Sequence, residues 1–142
     1  EIYTLSLHDA LPIFDYELDF LDHYITLMRL RYTDKVSITV NKPDELPNCE
    51  IPPLLFITFV ENAFKHGVSY QQPSFIDISI QISDSQLKFS CRNSKIPNEE
   101  EHHGGIGLQN VKQRLDLIYG KNFTLDINNE PQEYNIQLTI PL

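Results

Sequence analysis

Positive charge is scarce in this 142-residue chain: 11 Lys and Arg stand against 20 Asp and Glu, a formal net charge of −9. That balance argues against a nucleic-acid backbone or an anionic membrane surface as the main partner, since most of the molecule would repel either. An anionic ligand needs local cations or a metal ion to offset the surplus. Cysteine is nearly absent. Cys49 and Cys91 sit in no CxxC or Cys/His spacing, which argues against a metal site or redox pair and leaves two reduced thiols of a cytoplasmic protein. No apolar run approaches the ~18 residues of a membrane-spanning helix, and no basic-then-apolar leader is visible. The first residue is Glu1 rather than Met, so the chain reads as a fragment.

What is present suffices for one domain. With 41% apolar and 22% charged residues over 142 positions, the chain can enclose one sizeable core and is too short for two ordinary ones. Residues 1–13, EIYTLSLHDALPI, stand apart. They match one reading frame of a string that resembles a widely used short-read sequencing adapter. The next adapter base, T, also begins the codon of Phe14. These residues are expected to be a non-native tail, with natural sequence starting near Phe14, and are set aside as a tag would be. The alternative is a genuine amphipathic tail.

Asp15 is placed to cap a helix running to about Arg31, with Leu18, Leu21, Tyr24, Ile25 and Met28 at helical spacing. Val36, Ile38 and Val40 then alternate with Ser37 and Thr39 as a short strand. The proline-rich stretch NKPDELPNCEIPP leads to a second helix, which Pro52 and Pro53 open and Gly67 closes. From Ile76 the period becomes two: Ile76, Ile78, Ile80 and Ile82, then Leu87, Phe89 and Cys91 across a Asp-Ser turn. Two more such runs, Leu125–Ile127 and Tyr134–Ile140, follow a third helix from about Ile106 to Tyr119. Its buried stripe is Leu108, Val111, Leu115 and Ile118, and Gly120 ends it. Strands this regular have one wet face, so the sheet is mainly antiparallel and covered on one side. The expected fold class is α/β: a two-layer sandwich with three helices on one face of a mostly antiparallel mixed sheet of about five strands.

The second helix poses the functional question. At ~100° per residue, Phe56, Ile57, Phe59, Val60, Ala63 and Phe64 occupy an arc of roughly 160° that must face a core. Thr58, Glu61, Asn62, Lys65 and His66 fill the opposite arc of about 140°, beside Leu54 and Leu55. That polar arc could simply face water. The glycines offer it a partner. Of five in the chain, Gly104, Gly105 and Gly107 fall within four residues, after the acidic, aperiodic SKIPNEEEHH and immediately before the third helix. Backbone N–H groups at such a place can approach phosphate oxygens, although glycines also fill ordinary loops before helices. Asn62 offers a neutral oxygen suited to Mg²⁺. Lys65 and His66 can reach phosphates, and Lys112 and Arg114 add positive charge near the glycines. Together these features turn the polar arc toward a nucleotide.

PPLLFITFVENAFKHG resembles the N box of LytS-type sensor histidine kinases, and GGIGLQNVKQRLDLIYG resembles their G box with its N-x-x-x-RL-x-x-x-YG helix. The resemblance runs from about Phe14 to Leu142, with residues 14–48 as the end of the kinase core region and 49–142 as the catalytic ATP-binding domain. It implies the ATP-binding fold shared with type II topoisomerases, a heat-shock chaperone family and mismatch-repair ATPases. By the same resemblance Asn62 is the Mg²⁺ ligand, and Lys65 and His66 lie near the phosphates. Gly105 and Gly107 flank the lid hinge and cradle phosphate, with Leu108, Asn110 and Arg114 nearby. Glu61 joins Asn62 as a catalytic residue. The lid itself is expected at Ser94–Gly104.

Two departures matter. Where the related ATPases place a catalytic Glu one turn before the Mg²⁺ Asn, this chain has Thr58, which suits a kinase that does not waste ATP on hydrolysis. Where the fold usually reads adenine with the Asp of a D-x-G-x-G segment, this chain has CRNSKIP. Asn93 stands in for the Asp and can accept from the adenine amino group without charge assistance, or it only shapes the turn into the lid.

The resemblance implies a catalytic domain that transfers the γ-phosphoryl of ATP to a histidine. The alternative is a nucleotide-dependent interaction module, a pseudokinase that binds ATP without phosphotransfer. Implied partners are ATP and ADP, an upstream histidine-bearing dimerisation helix and a response regulator of the LytTR type, with no nucleic acid. The domain is expected in the cytoplasm and its homodimeric parent in the inner membrane. None of the five histidines suits the phosphoacceptor. His8 lies in the suspected tail, His66 is held at the nucleotide, His102 and His103 sit among Glu99, Glu100 and Glu101, and His23 is mid-helix. The fragment is therefore expected to bind ATP without phosphorylating itself and, lacking the upstream helix, to be monomeric.

Overall fold

In the computed structural model the described residues are 14–32, 35–44, 49, 51–52, 54–69, 72–95 and 106–142. The suspected tail, the stretch 96–104 expected to form a lid, and Gly105 lie outside them. The described residues form three helices, α1 (Phe14–Arg31), α2 (Leu55–Gly67) and α3 (Ile106–Tyr119). They also form five strands: β1 (Val36–Asn41), β2 (Ser74–Ser83), β3 (Gln86–Ser94), β4 (Thr124–Asn129) and β5 (Glu133–Pro141).

The strands make one sheet in the order β1-β2-β3-β5-β4. β1 pairs parallel to β2, and every other neighbour is antiparallel. Parallel neighbours need a crossover, and α2 is that crossover. The β2–β3 hairpin closes through Asp84 and Ser85, both at positive φ of 51° and 59°, the two-residue turn whose twist matches its strands. The sheet is thus the expected mixed, mostly antiparallel one. β1, from the 14–48 segment, is an integral strand of it.

Alternation sorts the sheet into a dry and a wet face. Ile76, Ile78 and Ile80 of β2, Leu87, Phe89 and Cys91 of β3, and Ile136, Leu138 and Ile140 of β5 are buried. The α2 helix covers them: Phe56 stacks on Phe89 at 4.9 Å between ring centroids and Phe59 meets it at 5.7 Å. α1 packs on α2 through Leu18, Leu21 and Ile25, with Tyr24 and Tyr32 against Phe64 at 5.8 and 6.0 Å. On the wet face Arg92 pairs with Asp77 at 2.7 Å and lies 3.7 Å from Glu133.

Several local expectations are corrected. Asp15, expected at the cap position, falls within the span of α1. Ile118, expected in the buried stripe of α3, is 48% exposed, while its neighbour Tyr119 packs against the core instead. Leu55 falls on the polar arc of α2 by angle yet is buried. The chain leading into the helix, Ile51 and Pro52, is buried as well.

Candidate functional site

α2 begins without a side-chain cap of its own. Its N-cap position is Leu54, in the left-handed region at φ 58°, a strained place for a branched side chain. The Leu54 N–H donates to Glu17 Oε1 at 2.9 Å, so a carboxylate on α1 completes the start of α2. Glu17 is buried. Burial pushes its carboxyl above the ordinary range, against the opposing pull of the Leu54 hydrogen bond and the Arg114 charge. Glu17 escaped the sequence reading. Its signal was indirect: a helix preceded by Pro-Pro-Leu, with no Ser, Thr, Asp or Asn to cap it, needs a distant acceptor.

The other end of α2 is fixed by a close approach. Gly67 is the last helical residue and carries no left-handed φ, so it is not the turn-forming C-terminal glycine expected. A Cβ there would lie 2.5 Å from Asn93 Nδ2 and 2.8 Å from Asn93 Cβ, closer than packed atoms tolerate. Glycine is required for space. Ser94 Oγ donates to the Gly67 carbonyl at 2.8 Å and accepts from Phe75 N–H at 3.0 Å. Ser94 therefore belongs to β3 and not to a lid. Lys95 is tied as well, its N–H donating to the Gln132 carbonyl at 3.1 Å.

Between these fixed ends, the polar arc of α2 opens on a cleft of about 510 Å³. Thr58, Glu61, Asn62, Lys65 and His66 form one wall, and Gly107 and Leu108 at the start of α3 form the other. Glu61 and Lys65 are exposed, while Thr58, Asn62 and His66 are half-buried. The arc and the glycine-rich helix start, about 40 residues apart in sequence, thus face each other. Thr58 Oγ1 donates to the Leu54 carbonyl at 2.8 Å, which turns its methyl toward α3. A Cβ added at Gly107 would meet only that methyl, at an ordinary 3.8 Å. Packing alone does not demand glycine there.

Three expected site residues stand outside the lining of the cleft. Asn93 is buried on the dry face of β3, behind Gly67, and its Nδ2 donates to the Ser94 carbonyl at 2.8 Å. Asn110 is exposed on α3. Arg114 is close enough to Glu17 for its charge to act on that carboxyl, on the side where α3 nears α1. Tyr24 of α1 stands near the cleft instead: burial raises its phenol, and the Glu61 charge adds to the rise. Among the described residues no group of three His, Cys, Asp or Glu side chains gathers for a metal. A hard cation here would rest on few protein oxygens, chiefly Asn62, and on its ligand's phosphates and water. Among the described residues no helix is long and apolar enough to cross a membrane.

No family model matches the chain. Among curated proteins it is similar to the sensor protein LytS of Oceanobacillus iheyensis, 28% identical over 88% of this chain and 24% of that protein. It is also similar to the sensor histidine kinase YesM of Bacillus subtilis, 28% identical over 88% of this chain and 23% of that protein. The chain thus spans about a quarter of the length of the curated relatives it matches. Among solved structures, the catalytic domain of histidine kinase ThkA in a nucleotide-free form superposes with a TM-score of 0.68. The match covers 92% of this chain and 94% of that domain at 13% identity. The fold is that of histidine kinase catalytic domains.

Proposed function

We propose that the chain is the ATP-binding catalytic domain of a sensor histidine kinase. The observation that carries this reading is the cleft itself: the polar arc of α2 and the start of α3 converge on it, as a site for a phosphate-bearing ligand requires. The similarity to sensor kinases over 88% of the chain supports it, and no observation favours the interaction-module alternative.

In this reading the phosphates of ATP lie between Lys65 and His66 on one side and the N–H groups around Gly105, Gly107 and Leu108 on the other. Asn62 would hold Mg²⁺, which when bound offsets phosphate charge. Asn93, buried behind Gly67 and outside the lining of the cleft, would have to be uncovered to accept from the adenine amino group, and Asn110 and Arg114 stand along α3 outside that lining as well. Transfer breaks the bond between the γ-phosphorus and its bridging oxygen and forms a P–N bond to the acceptor imidazole, with ADP leaving. Such a step asks for positioning and charge neutralisation more than covalent help. Glu61, at the open side of the cleft, is the carboxylate available to take the imidazole proton. With Thr58 one turn earlier, no second carboxylate stands there to activate water, so hydrolysis is slow. The acceptor histidine lies on an upstream dimerisation helix of a homodimeric, membrane-anchored parent, which passes the phosphoryl to a response regulator of the LytTR type.

Titration calorimetry with ATP and Mg²⁺ tests the reading. Binding is expected with a Kd on the order of 10 μM to 1 mM, and Asn62→Ala should abolish its dependence on Mg²⁺. Absence of heat with both ATP and ADP, together with an unmoved melting temperature, overturns it.

A further inference from the structure

Glu17 is more than a helix start requires. A Ser, Thr, Asp or Asn at the cap position would satisfy α2 locally, and a distant Gln would do so without taking a charge out of water. The acceptor is instead a carboxylate on another helix, only 6% exposed. Among the described residues it is the only buried charged side chain. Burying a carboxylate is unfavourable unless other groups face it, and here two elements supply them. Leu54 N–H of α2 donates to Oε1 at 2.9 Å, and Arg114 of α3 stands near enough for its charge to act on the carboxyl.

Hydrogen bonds carry this contact into the cleft. Leu54, in the left-handed region, is held on both sides. Its N–H donates to Glu17, and its carbonyl accepts from Thr58 N–H at 3.4 Å and Thr58 Oγ1 at 2.8 Å. That strained residue fixes the first turn of α2, and with it the Thr58 methyl that faces Gly107. On α3, Arg114 stands two turns after Gly107 on the same side of the helix. The two helices therefore meet at two levels: Thr58 against Gly107 and, one turn earlier on α2, Leu54 toward Arg114 through Glu17. We propose that Glu17 is a positioning residue, which clamps the Leu54 end of the α2–α3 cleft and so sets how far Asn62, Lys65 and His66 stand from Gly107 and Leu108. The proposal rests on reading that cleft as the nucleotide site. Glu17 lies outside its lining and acts through Leu54 and Arg114. Arg114, outside the lining as well, gains a part to play at that end.

Titration of the 142-residue chain with Mg-ATP and with inorganic triphosphate tests this role. Glu17→Gln keeps an acceptor for Leu54 N–H and removes the charge. It should raise both dissociation constants about fivefold with a nearly unchanged melting temperature. A merely structural residue would move the melting temperature and leave the affinity of the folded chain alone. Arg114→Gln should give the same factor and the double variant no more than either, while Arg114→Lys should stay within about twofold of the parent. Spin labels at Lys65→Cys and Lys112→Cys, in a Cys49→Ser background, report the distance between α2 and α3 without any nucleotide. Glu17→Gln should broaden that distance distribution. Unchanged affinity or an unchanged distribution in Glu17→Gln overturns the proposal. So do effects of Glu17→Gln and Arg114→Gln that multiply, which mark independent roles. A parent chain that binds neither ligand overturns the nucleotide reading instead, and the label distances then decide the role of Glu17 by themselves.

Discussion

Gly67 and Asn93 are in contact across the junction of α2 and β3, and the contact leaves no room for a side chain on the glycine. A Cβ on Gly67 would lie 2.5 Å from Asn93 Nδ2. Gly67→Ala must displace the buried Asn93 or the end of α2. We expect a loss of about 1–3 kcal/mol in urea unfolding and, if Asn93 reads adenine, weaker binding of ATP with a smaller change for inorganic triphosphate. A Gly67→Ala chain as stable as the parent would show that the close approach relaxes without cost.

Gly107 gives the opposite result. Its Cβ would touch only Thr58 at 3.8 Å, and alanine is the better helix former by about 1 kcal/mol. Gly107→Ala should therefore fold with equal or slightly higher stability while weakening Mg-ATP binding about tenfold, as backbone approach to phosphate is blocked. Unchanged affinity by calorimetry would remove Gly107 from the site.

Glu17 links stability to pH. Burial raises its folded-state pKa above the ordinary 4.5. Below 4.5 the carboxyl is protonated folded or unfolded and burial adds no cost. As pH rises toward the raised folded value, the unfolded chain releases the proton first, so this group's contribution to stability falls across that window and stays low above it. Glu17→Gln keeps an acceptor for Leu54 N–H and should flatten the pH dependence above about 4.5, changing neutral stability by under ~1 kcal/mol. Glu17→Ala orphans that N–H and should cost about 1–3 kcal/mol. Urea melts of the three chains from pH 4 to 8 check the order.

Thiol reactivity should separate the two cysteines. Burial pushes the Cys91 thiol up to about 12, so it presents neither thiolate nor surface at pH 8. Cys49 is half-buried and also raised by burial, but it remains reachable. A chromogenic disulfide reagent should titrate one thiol per native chain and both in denaturant. Rapid loss of both thiols under native conditions would show that the sheet opens far more readily than its packing implies.

Incubation with γ-labelled ATP should leave the chain unlabelled even where calorimetry shows binding. His66 sits in the wall of the cleft, too near and too constrained for in-line attack, and His23 is exposed on the outer side of α1. Acid-labile label on the chain would place an acceptor within it.

The sequence by itself determined the elements, because alternation and helical spacing are local. The isoleucines of β2, the 3.6-residue period of α2 and the Asp84–Ser85 turn each carry their own structure. It also determined which side chains of α2 share a polar arc, since that is fixed once the helix is. Only the tertiary structure decided what the arc faces, that Gly67 is required for space rather than for a turn, and that Ser94 is anchored in β3. It also decided that Glu17 completes a helix 37 residues away. Each of these is a contact between distant segments, and no local pattern encodes it. α1 lies between the two: its apolar side chains were legible in the sequence, but only packing buries Leu18, Leu21 and Ile25 and leaves Tyr16, Phe20, Leu27 and Leu30 exposed.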